Sequence, residues 1–141
     1  MGKWILSSSL EEWSSVDRRI EAELTEKGHS SEFIASIMLA MDEIFANISM
    51  YAYPDKKGKV IVESSYEIKD NRRYAIISFT DYGVKFNPLE MDTKPDICET
   101  NALKREIGGL GIFLARKNTD EIIYSYSKHA NKLELVKKEN I

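Results

Sequence analysis

The sequence predicts an α+β fold, a two-layer sandwich in which a mixed, mostly antiparallel sheet carries helices on one face. Two observations lead to this prediction. Segments with helical hydrophobic periodicity are followed by pairs of segments in which apolar residues alternate and short turns intervene. The chain has 141 residues, of which 43% are hydrophobic and 30% charged, so we expect one domain over residues 1–141 with a single core.

The first half of the chain supplies a short strand and two helices. The strand is predicted over residues 3–7. Ser9 begins the next helix with a capping-box pattern to Glu12, and apolar residues recur on one face at Trp13, Val16, Ile20 and Leu24. Gly28 suits the left-handed position that ends this helix. The second helix begins at residue 30 or 31 and runs to about residue 51.

The second half supplies two strand pairs and a third helix. The strands are predicted at 59–67 and 73–80 and at 121–128 and 132–138, and the helix at 108–117. Between them, residues 81–107 carry glycine and proline and little periodicity. A long irregular stretch inside a small domain is usually functional or mobile.

Charge and cysteine content exclude several classes of protein. With 20 basic and 23 acidic residues the net charge is −3, so no cationic excess favours nucleic acid or an anionic membrane surface. The single cysteine, Cys98, has no partner for an intrachain disulfide. The longest apolar run, residues 33–41, is shorter than the roughly 18 residues of a membrane span. We therefore expect a cytoplasmic protein that binds neither nucleic acid nor membrane.

A carboxylate and an amide lie one turn apart on the second helix, at Glu43 and Asn47. At about 100° per residue, both positions fall outside the polar face of the helix. Their flanking residues are apolar: Leu39, Ala40 and Met50. Burying such groups unpaired is costly. The two side chains therefore either hydrogen-bond each other or the nearby backbone, or they meet a ligand.

A second polar site follows the strand at 73–80. Asp81 comes directly after its apolar residues, and Gly83 follows two positions later. A carboxylate at a strand end can accept hydrogen bonds at the mouth of a pocket, and glycine allows close approach of the backbone to a ligand. An ordinary turn from strand to loop explains the same residues.

Glycines open the third helix: Gly108, Gly109 and Gly111, with Leu110 between them. Free N–H groups at a helix N-terminus form an anion site, and glycine lets a phosphate come close. The spacing is neither the Rossmann fingerprint nor a P-loop. Lys104 and Arg105 precede the glycines within reach of a phosphate, although a solvated loop accounts for them equally well.

Taken in order, these three motifs resemble the GHKL ATPase superfamily, and most closely its anti-sigma-factor, serine/threonine-kinase branch. The resemblance covers essentially the whole chain. Its most specific parts are residues 42–54, 81–88 and 105–124, and residues 131–138 are similar to the closing strand of that branch. The resemblance implies a Bergerat-type ATP-binding fold with ATP and Mg²⁺ as ligands.

The resemblance also implies roles for the first two motifs. Glu43 matches the acidic residue that polarises the attacking hydroxyl or water, and Asn47 matches the amide that holds Mg²⁺ against the phosphates. Asp81 matches the carboxylate that accepts a hydrogen bond from the adenine amine. Gly83 matches the glycine that lets the base pack closely.

At the third motif the resemblance implies nucleotide-binding positions at Gly108, Gly109, Leu110 and Gly111. The second and third of these glycines match those that end a mobile lid and present backbone N–H groups to phosphate. The lid is expected over about residues 89–107, with Arg105 near its end as a γ-phosphate contact.

The chain departs from the family pattern at two places. Met50 and Tyr51 stand where many relatives carry a basic residue or histidine, which bears on turnover more than on binding. Asn118 and Thr119 stand where relatives usually carry a bulky apolar residue, which bears on packing.

The resemblance implies an ATP-dependent serine/threonine protein kinase that acts as an anti-sigma-type regulatory switch. Its substrate would be a small STAS-type anti-sigma-factor antagonist, and it would sequester a sigma factor or an analogous regulator. A homodimer is also consistent with the family, with the first strand and helix as the candidate surface.

Four alternatives stay open at this point. The first is a catalytically weak, nucleotide-gated protein-binding module, which Glu43→Gln would leave functional. The second is the detached catalytic domain of a histidine kinase, which is disfavoured because His29 and His129 are predicted to be surface residues in loops. The third is a gyrase-type or chaperone-type ATPase, which needs further domains. The fourth is a structural domain without ligand.

Overall fold

Over residues 1–90 and 109–141, which the computed structural model describes, the chain forms five strands and three α-helices. The elements are β1 (Gly2–Ser7), α1 (Leu10–Glu26), α2 (Ser31–Asn47), a π-helical turn (Ile48–Ala52), β2 (Lys59–Lys69), β3 (Arg72–Asp81), a 3₁₀ turn (Pro88–Glu90), α3 (Gly109–Lys117), β4 (Glu121–Ser127) and β5 (Ala130–Asn140). The α+β prediction is confirmed. Of the predicted lid, only residues 89–90 are described; Cys98, Arg105 and Gly108 lie outside the described residues.

The sheet has the strand order β1-β2-β3-β5-β4, and every pairing among these strands is antiparallel. Two tight hairpins set its register. Asp70 and Asn71 join β2 to β3, and Lys128 and His129 join β4 to β5, all four with φ between 51° and 62°. Two-residue turns with positive φ at both positions match the right-handed twist of antiparallel strands. The prediction of a mostly antiparallel sheet is confirmed.

The helices cover one face of the sheet, as predicted. Alternate residues of the three central strands point into the core: Val60, Val62, Ala75, Ile77, Phe79, Leu133 and Leu135. The predicted face of α1 is buried against them. Trp13 stacks on Phe45 of α2 at 4.8 Å between ring centroids, and it contacts Phe79 of β3 at 5.6 Å. This aromatic group therefore joins both helices to the sheet.

The beginning of α1 confirms one half of its predicted capping box. The Ser9 side chain accepts a hydrogen bond from the Glu11 N–H at 3.2 Å. The Glu12 side chain does not accept a hydrogen bond from the Ser9 N–H, as a capping box would require. It accepts hydrogen bonds from the N–H and hydroxyl of Ser7, at the end of β1. That half of the prediction is wrong because β1 supplies competing donors. Gly28 has φ +85°, as its predicted place after the helix requires.

Helix α2 and its π-helical turn together form a continuous apolar helix of 22 residues, Ser31–Ala52, with a mean hydropathy of 1.5. By length and composition alone such a helix would be able to cross a membrane. Here its apolar side chains are buried in the core of the domain, among them Ile37, Met41, Ile44 and Phe45. Its position explains its composition, because a helix at the centre of a core is apolar over most of its surface.

His29 is buried, so its predicted position on the surface is wrong. Its ring stacks on Phe33 at 4.0 Å, and its Nδ1 lies 2.7 Å from Oε1 of Glu139 near the end of β5. The turn between α1 and α2 packs against the last strand, which covers the imidazole. His129, in contrast, is exposed in the turn between β4 and β5.

Asn118 and Thr119 have a local role at the end of α3. The Asn118 amide donates to the carbonyl of Leu114 at 2.8 Å, and the Thr119 hydroxyl donates to that of Ala115 at 2.8 Å. The backbone N–H of Asn118 also donates to both carbonyls, so each side chain adds a second donor to a carbonyl of the last turn. Polar residues at these positions therefore serve packing and capping.

Candidate functional site

An apolar cleft opens between the end of α2 and the adjacent ends of β3 and β5. Its walls are mainly apolar and aromatic, including Ile48, Tyr51, Phe79, Phe86 and Tyr124. The side chains of Asn47, Asp81 and Asn131 are the polar groups of this lining, apart from the tyrosine hydroxyls. An apolar cleft with a few convergent polar groups is the usual form of a small-molecule site.

Asp81 ends β3 with its carboxylate buried in this cleft, where the residue is 6% exposed. Oδ1 accepts two hydrogen bonds at 3.0 Å, from the N–H of Gly83 and from Nδ2 of Asn131. No other hydrogen bond from the described residues reaches the carboxylate, so Oδ2 is the oxygen available to a ligand. Burial raises the Asp81 pKa above its ordinary value, and the two hydrogen bonds oppose that rise.

The loop after β3 packs against the π-helical turn that follows α2. The N–H of Val84 donates to the carbonyl of Ala52 at 2.9 Å, and the N–H of Tyr82 donates to the Tyr53 hydroxyl at 2.8 Å. A Cβ at Gly83 would lie 2.0 Å from the Ala52 carbonyl oxygen. Contact with this backbone therefore requires glycine at position 83, and the expected role beside a bound base remains a prediction.

Asn131 completes the cleft, and the sequence interpretation gave it no role at the site. It lies in β5 directly opposite Asp81 and is 6% exposed. Its amide nitrogen donates to Asp81 and to the carbonyl of Val84, each at 3.0 Å. Its amide oxygen accepts from the N–H of Phe86 at 3.1 Å and from the Tyr124 hydroxyl at 2.6 Å. In the alternating pattern of a strand, position 131 shares a face with Leu133 and Leu135, which was the available signal.

Asn47 faces the same cleft from α2. It is 7% exposed, and its Nδ2 has no hydrogen-bond partner among the described residues. An unpaired buried amide costs about 1–3 kcal/mol, so a fold keeps one only where something else compensates. A half-turn of the amide brings Oδ1, a ligand suited to a hard cation, to the same position. Nδ2 of Asn47 therefore bonds neither Glu43 nor the described backbone, and the expected role of Asn47 toward a ligand remains a prediction.

Glu43 lies one turn before Asn47, beside the beginning of α3. A Cβ at Gly111 would lie 2.6 Å from Oε2 of Glu43, so the carboxylate occupies the space that a side chain there would fill. The Glu43 pKa is raised by partial burial and then by the neighbouring charge of Asp42. The first and third motifs of the sequence thus meet at one point of the structure.

Helix α3 begins at Gly109, with Leu110 half-buried and Gly111 buried. Its first turn carries backbone N–H groups that have no partner within the helix, which is the general basis of an anion site. The predicted glycine-opened helix is confirmed from Gly109 onward.

Met50 and Tyr51, which depart from the family pattern, occupy different surroundings. Met50 is 50% exposed. Tyr51 lines the cleft, with its ring 6.2 Å from that of Phe86. An aromatic and a thioether side chain therefore stand where a cation was expected from the resemblance.

Within residues 1–90 and 109–141, no group of three or more His, Cys, Asp or Glu side chains is placed to hold a metal ion. A cation at Asn47 would therefore depend on water and on phosphate oxygens of the substrate. Mg²⁺ is commonly held in this way, with few protein ligands. The residues present fit Mg²⁺ bound together with a nucleotide.

The sequence matches the family model of the histidine kinase-like ATPase domain over residues 6–137. No curated protein sequence matches the chain.

Among solved structures, the chain is similar to one that contains the RsbU and RsbW domains of Rv1364c from Mycobacterium tuberculosis, with a TM-score of 0.61 and 16% identity over 97% of this chain and 32% of that one. The histidine kinase domain of the blue-light activated histidine kinase EL346 from Erythrobacter litoralis gives a TM-score of 0.47 and 13% identity, covering 86% of this chain and 58% of that one. The chain thus spans about a third of the length of the first of these chains and somewhat over half of the second. The first likeness supports the two-layer fold described above.

Proposed function

Since the chain belongs to the histidine kinase-like ATPase domain family, we propose that it is an ATP-dependent protein kinase whose nucleotide site is the cleft between α2, β3 and β5. One observation carries this proposal: the buried Nδ2 of Asn47, which has no hydrogen-bond partner among the described residues, faces the same cleft as the carboxylate of Asp81.

Adenine enters the apolar part of the cleft in this proposal. Its exocyclic amine donates to Oδ2 of Asp81, the oxygen that the described residues leave without a hydrogen bond. A carboxylate that accepts from an amine discriminates against a base that presents a carbonyl at that position, because two acceptors repel. Apolar walls such as Ile48 and Phe79 contribute affinity by removing the faces of the base from water.

The phosphates extend from Asn47 toward the beginning of α3. Asn47 would hold Mg²⁺ through Oδ1, and the free N–H groups of the first turn from Gly109 would receive phosphate oxygens. When bound, Mg²⁺ neutralises negative charge on the phosphates during transfer. The predicted contributions of Gly108 and Arg105 concern residues outside those described and remain part of the proposal.

Glu43 acts as the general base. Its raised pKa and its position beside Gly111 suit a carboxylate that receives a proton close to the phosphate site. The acceptor hydroxyl oxygen forms a bond to the γ-phosphorus as the bond to the ADP oxygen breaks, and the hydroxyl proton passes to Glu43. Positioning and charge stabilisation supply most of the catalysis in such a transfer.

The partner in this proposal is a small STAS-type anti-sigma-factor antagonist, phosphorylated on serine or threonine, and the protein also sequesters a sigma factor or an analogous regulator in the cytoplasm. The motifs at residues 42–54, 81–88 and 105–124 support this assignment, together with a fold likeness to a chain that contains an RsbW domain. Homodimerisation belongs to the same proposal.

A second candidate is a nucleotide-gated binding module with little catalysis. Met50 and Tyr51 favour it, because neither supplies the positive charge that relatives place there. Incubation with γ-labelled ATP, Mg²⁺ and a purified STAS-type antagonist separates the two. Label transfer that is lost in Glu43→Gln supports the kinase; nucleotide-dependent partner binding without transfer, unchanged in Glu43→Gln, supports the module.

A further inference from the structure

A second pocket lies at the opposite end of β3 from the proposed nucleotide site. Its lining comes from the turn between α1 and α2 and from the hairpin ends of β2 and β3, and includes Lys27, His29, Tyr66, Ile68 and Arg73. Arg73 and Asp81 stand eight positions apart on β3, a separation of about 26 Å along a strand. The pocket is therefore distinct from the cleft.

The side chains that face this pocket from the sheet carry positive charge. Ile68 and Arg73 are paired across β2 and β3 and lie on the face that the helices cover. Glu67 and Tyr74 also line the pocket, but they alternate with these residues along the strands, so their side chains point to the other face of the sheet. The Glu67 carboxylate is therefore directed away from the pocket.

The two cations of the pocket are without counter-ions in the described part of the chain. Neither Lys27 nor Arg73 forms an ion pair or a side-chain hydrogen bond with a described residue. Lys27 Nζ lies 5.9 Å from the ring centroid of Tyr66. The Arg73 guanidinium packs against the turn, where a Cβ at Gly28 would lie 3.3 Å from its Nε. Both groups are thus available to an anion.

His29 supplies the buried polar atom of the pocket. The residue is 7% exposed, and its Nδ1 lies 2.7 Å from Oε1 of Glu139. Its Nε2 is buried and has no hydrogen-bond partner among the described residues. Since Glu139 occupies the Nδ1 edge of the ring, Nε2 is the polar atom that the imidazole offers to a ligand in the pocket.

Glu139 determines which protons the imidazole carries. Its carboxylate accepts hydrogen bonds, so Nδ1 holds a hydrogen toward it. In the neutral imidazole Nε2 is then an acceptor without a hydrogen, whereas the imidazolium has an N–H at Nε2 that donates to an anion. An anion bound at Nε2 is therefore accompanied by a proton.

We infer that this pocket binds a tetrahedral oxyanion, a phosphate or sulfate group, between Arg73 and Lys27, and that His29 takes up a proton and donates to it through Nε2. A guanidinium matches the geometry of two phosphate oxygens, and an ammonium adds a point charge. Free inorganic phosphate and a phosphorylated side chain of a partner protein share this chemistry. The inference does not depend on the proposed nucleotide site.

Charged and titratable groups face His29 from each element packed against it: Glu23 through Tyr66, Lys27, Glu32, Arg73, Lys137 over the ring of Phe33, and Glu139. Burial alone would raise the Glu139 pKa, but hydrogen bonds from Ser30 and His29 lower it, so the group stays ionised in the range tested below. Burial raises the Tyr66 pKa. Histidine is the side chain of this set that ordinarily titrates between about pH 5.5 and pH 8, so anion binding should weaken as pH rises through that range.

The test is a chemical-shift titration of sodium sulfate into the full chain at constant ionic strength, followed at the backbone amides of Gly28 and His29. Sulfate keeps its charge over this range, so a pH effect belongs to the protein. We expect millimolar binding that is at least about tenfold tighter at pH 5.5 than at pH 8. His29→Gln retains an N–H donor that does not titrate, so its sulfate affinity should be nearly equal at the two pH values.

Arg73→Gln should weaken sulfate binding at least about tenfold at pH 5.5, because a hydrogen-bonded charge is lost. Arg72→Gln is the matched control: it removes the same charge from the neighbouring position, where the side chain is exposed and points to the other face of the sheet. Its sulfate affinity should stay within about twofold of the wild type. The wild-type pH dependence and this pair of variants decide the outcome even where the buried His29→Gln does not fold.

A capped phosphoserine tripeptide, its unphosphorylated form and inorganic phosphate identify the source of the anion. Tighter binding of the phosphopeptide than of inorganic phosphate assigns the pocket to a phosphorylated side chain, and any other order assigns it to the free anion. Sulfate affinities that are equal in the wild type and Arg73→Gln, or that do not change with pH in the wild type, would overturn the inference. Nucleotide is absent from these titrations, so their failure leaves the proposed nucleotide site in place, and failure of that site leaves this one.

Discussion

The carboxylate of Glu43 occupies the space in which a side chain at position 111 would begin, because a Cβ on Gly111 would lie 2.6 Å from Oε2. The two residues come from separate motifs, one on α2 and one in the first turn of α3. Their contact places a carboxylate with a raised pKa beside a helix N-terminus. The contact between Glu43 and Gly111 therefore brings the proposed general base next to the proposed phosphate site.

Gly111→Ala should slow phosphoryl transfer at least about tenfold while ATP affinity changes less, because the new methyl group displaces the Glu43 carboxylate. The displaced atom ends a flexible side chain, and alanine favours a helix over glycine by up to ~1 kcal/mol, so the fold should be retained. Transfer rates and thermal unfolding measure the two effects. In a Glu43→Gln background the same change should have little further effect on transfer, and a full additional loss would contradict this account.

Gly83→Ala should destabilise the fold by about 1–3 kcal/mol, since its Cβ would meet the Ala52 backbone oxygen at 2.0 Å and neither backbone segment can yield cheaply. Urea unfolding measures the change. Val84→Ala is the matched control, because Val84 is 57% exposed and its truncation should cost less than ~0.5 kcal/mol. A Gly83 variant as stable as this control would show that the contact with Ala52 does not constrain the loop.

Asp17→Asn should stabilise the protein at pH 8 by about 1–2 kcal/mol, a value reduced for the solvent screening of a half-buried group. Burial raises the Asp17 pKa to about 7, with smaller contributions from the charge of Asp42 and a hydrogen bond with it. An acid with a raised folded pKa destabilises the fold progressively as pH rises from 3.8 toward 7.

The gain in Asp17→Asn should therefore disappear below about pH 4, where Asp17 is protonated in both states. Unfolding measured at several pH values tests this, with Glu26→Gln as the control for removal of an exposed carboxylate on the same helix that does not contribute to the Asp17 pKa. A gain of equal size at pH 4 and pH 8 would exclude ionisation of Asp17 as its cause.

Glu139→Gln should lose stability at neutral pH. Burial alone would raise the Glu139 pKa, but hydrogen bonds from the N–H and hydroxyl of Ser30 and from His29 outweigh it and lower the pKa. A carboxylate whose pKa is lower in the folded state than in the unfolded state stabilises the fold when it is ionised. This stabilisation is fully present above pH 4.5, the ordinary pKa of the group, and is lost as the pH falls through the pKa of the folded state. The difference in unfolding free energy between wild type and variant should accordingly shrink below pH 4.5, and a constant difference would contradict the ionic role.

Features that depend on neighbours in the sequence were predictable. The buried stripe of α1 and the left-handed Gly28 follow from local periodicity and helix-capping chemistry. Asp81 was identified because a carboxylate after an apolar strand is unusual. These predictions use only short-range constraints, which the sequence displays directly.

Features that depend on tertiary contacts were not predictable in the same way. Asn131 follows a tight turn, and only its pairing opposite Asp81 shows that it is a buried strand residue. His29 resembles a loop residue until Glu139, 110 positions later, is packed against it. The space that Gly111 leaves for Glu43 likewise exists only once α2 and α3 meet. Each of these needs the sheet and the helix layer in place.

The central claim is that Asp81 and Asn47 bind a nucleotide with its metal. Calorimetric titration of ATP, with Mg²⁺ present and then chelated, tests it most directly when wild type, Asp81→Asn and Asn47→Ala are compared. We expect micromolar to sub-millimolar binding by the wild type, at least about tenfold weaker binding by Asp81→Asn, and loss of the Mg²⁺ effect in Asn47→Ala. Absence of binding up to millimolar ATP, or affinities unchanged in both variants, would contradict the account.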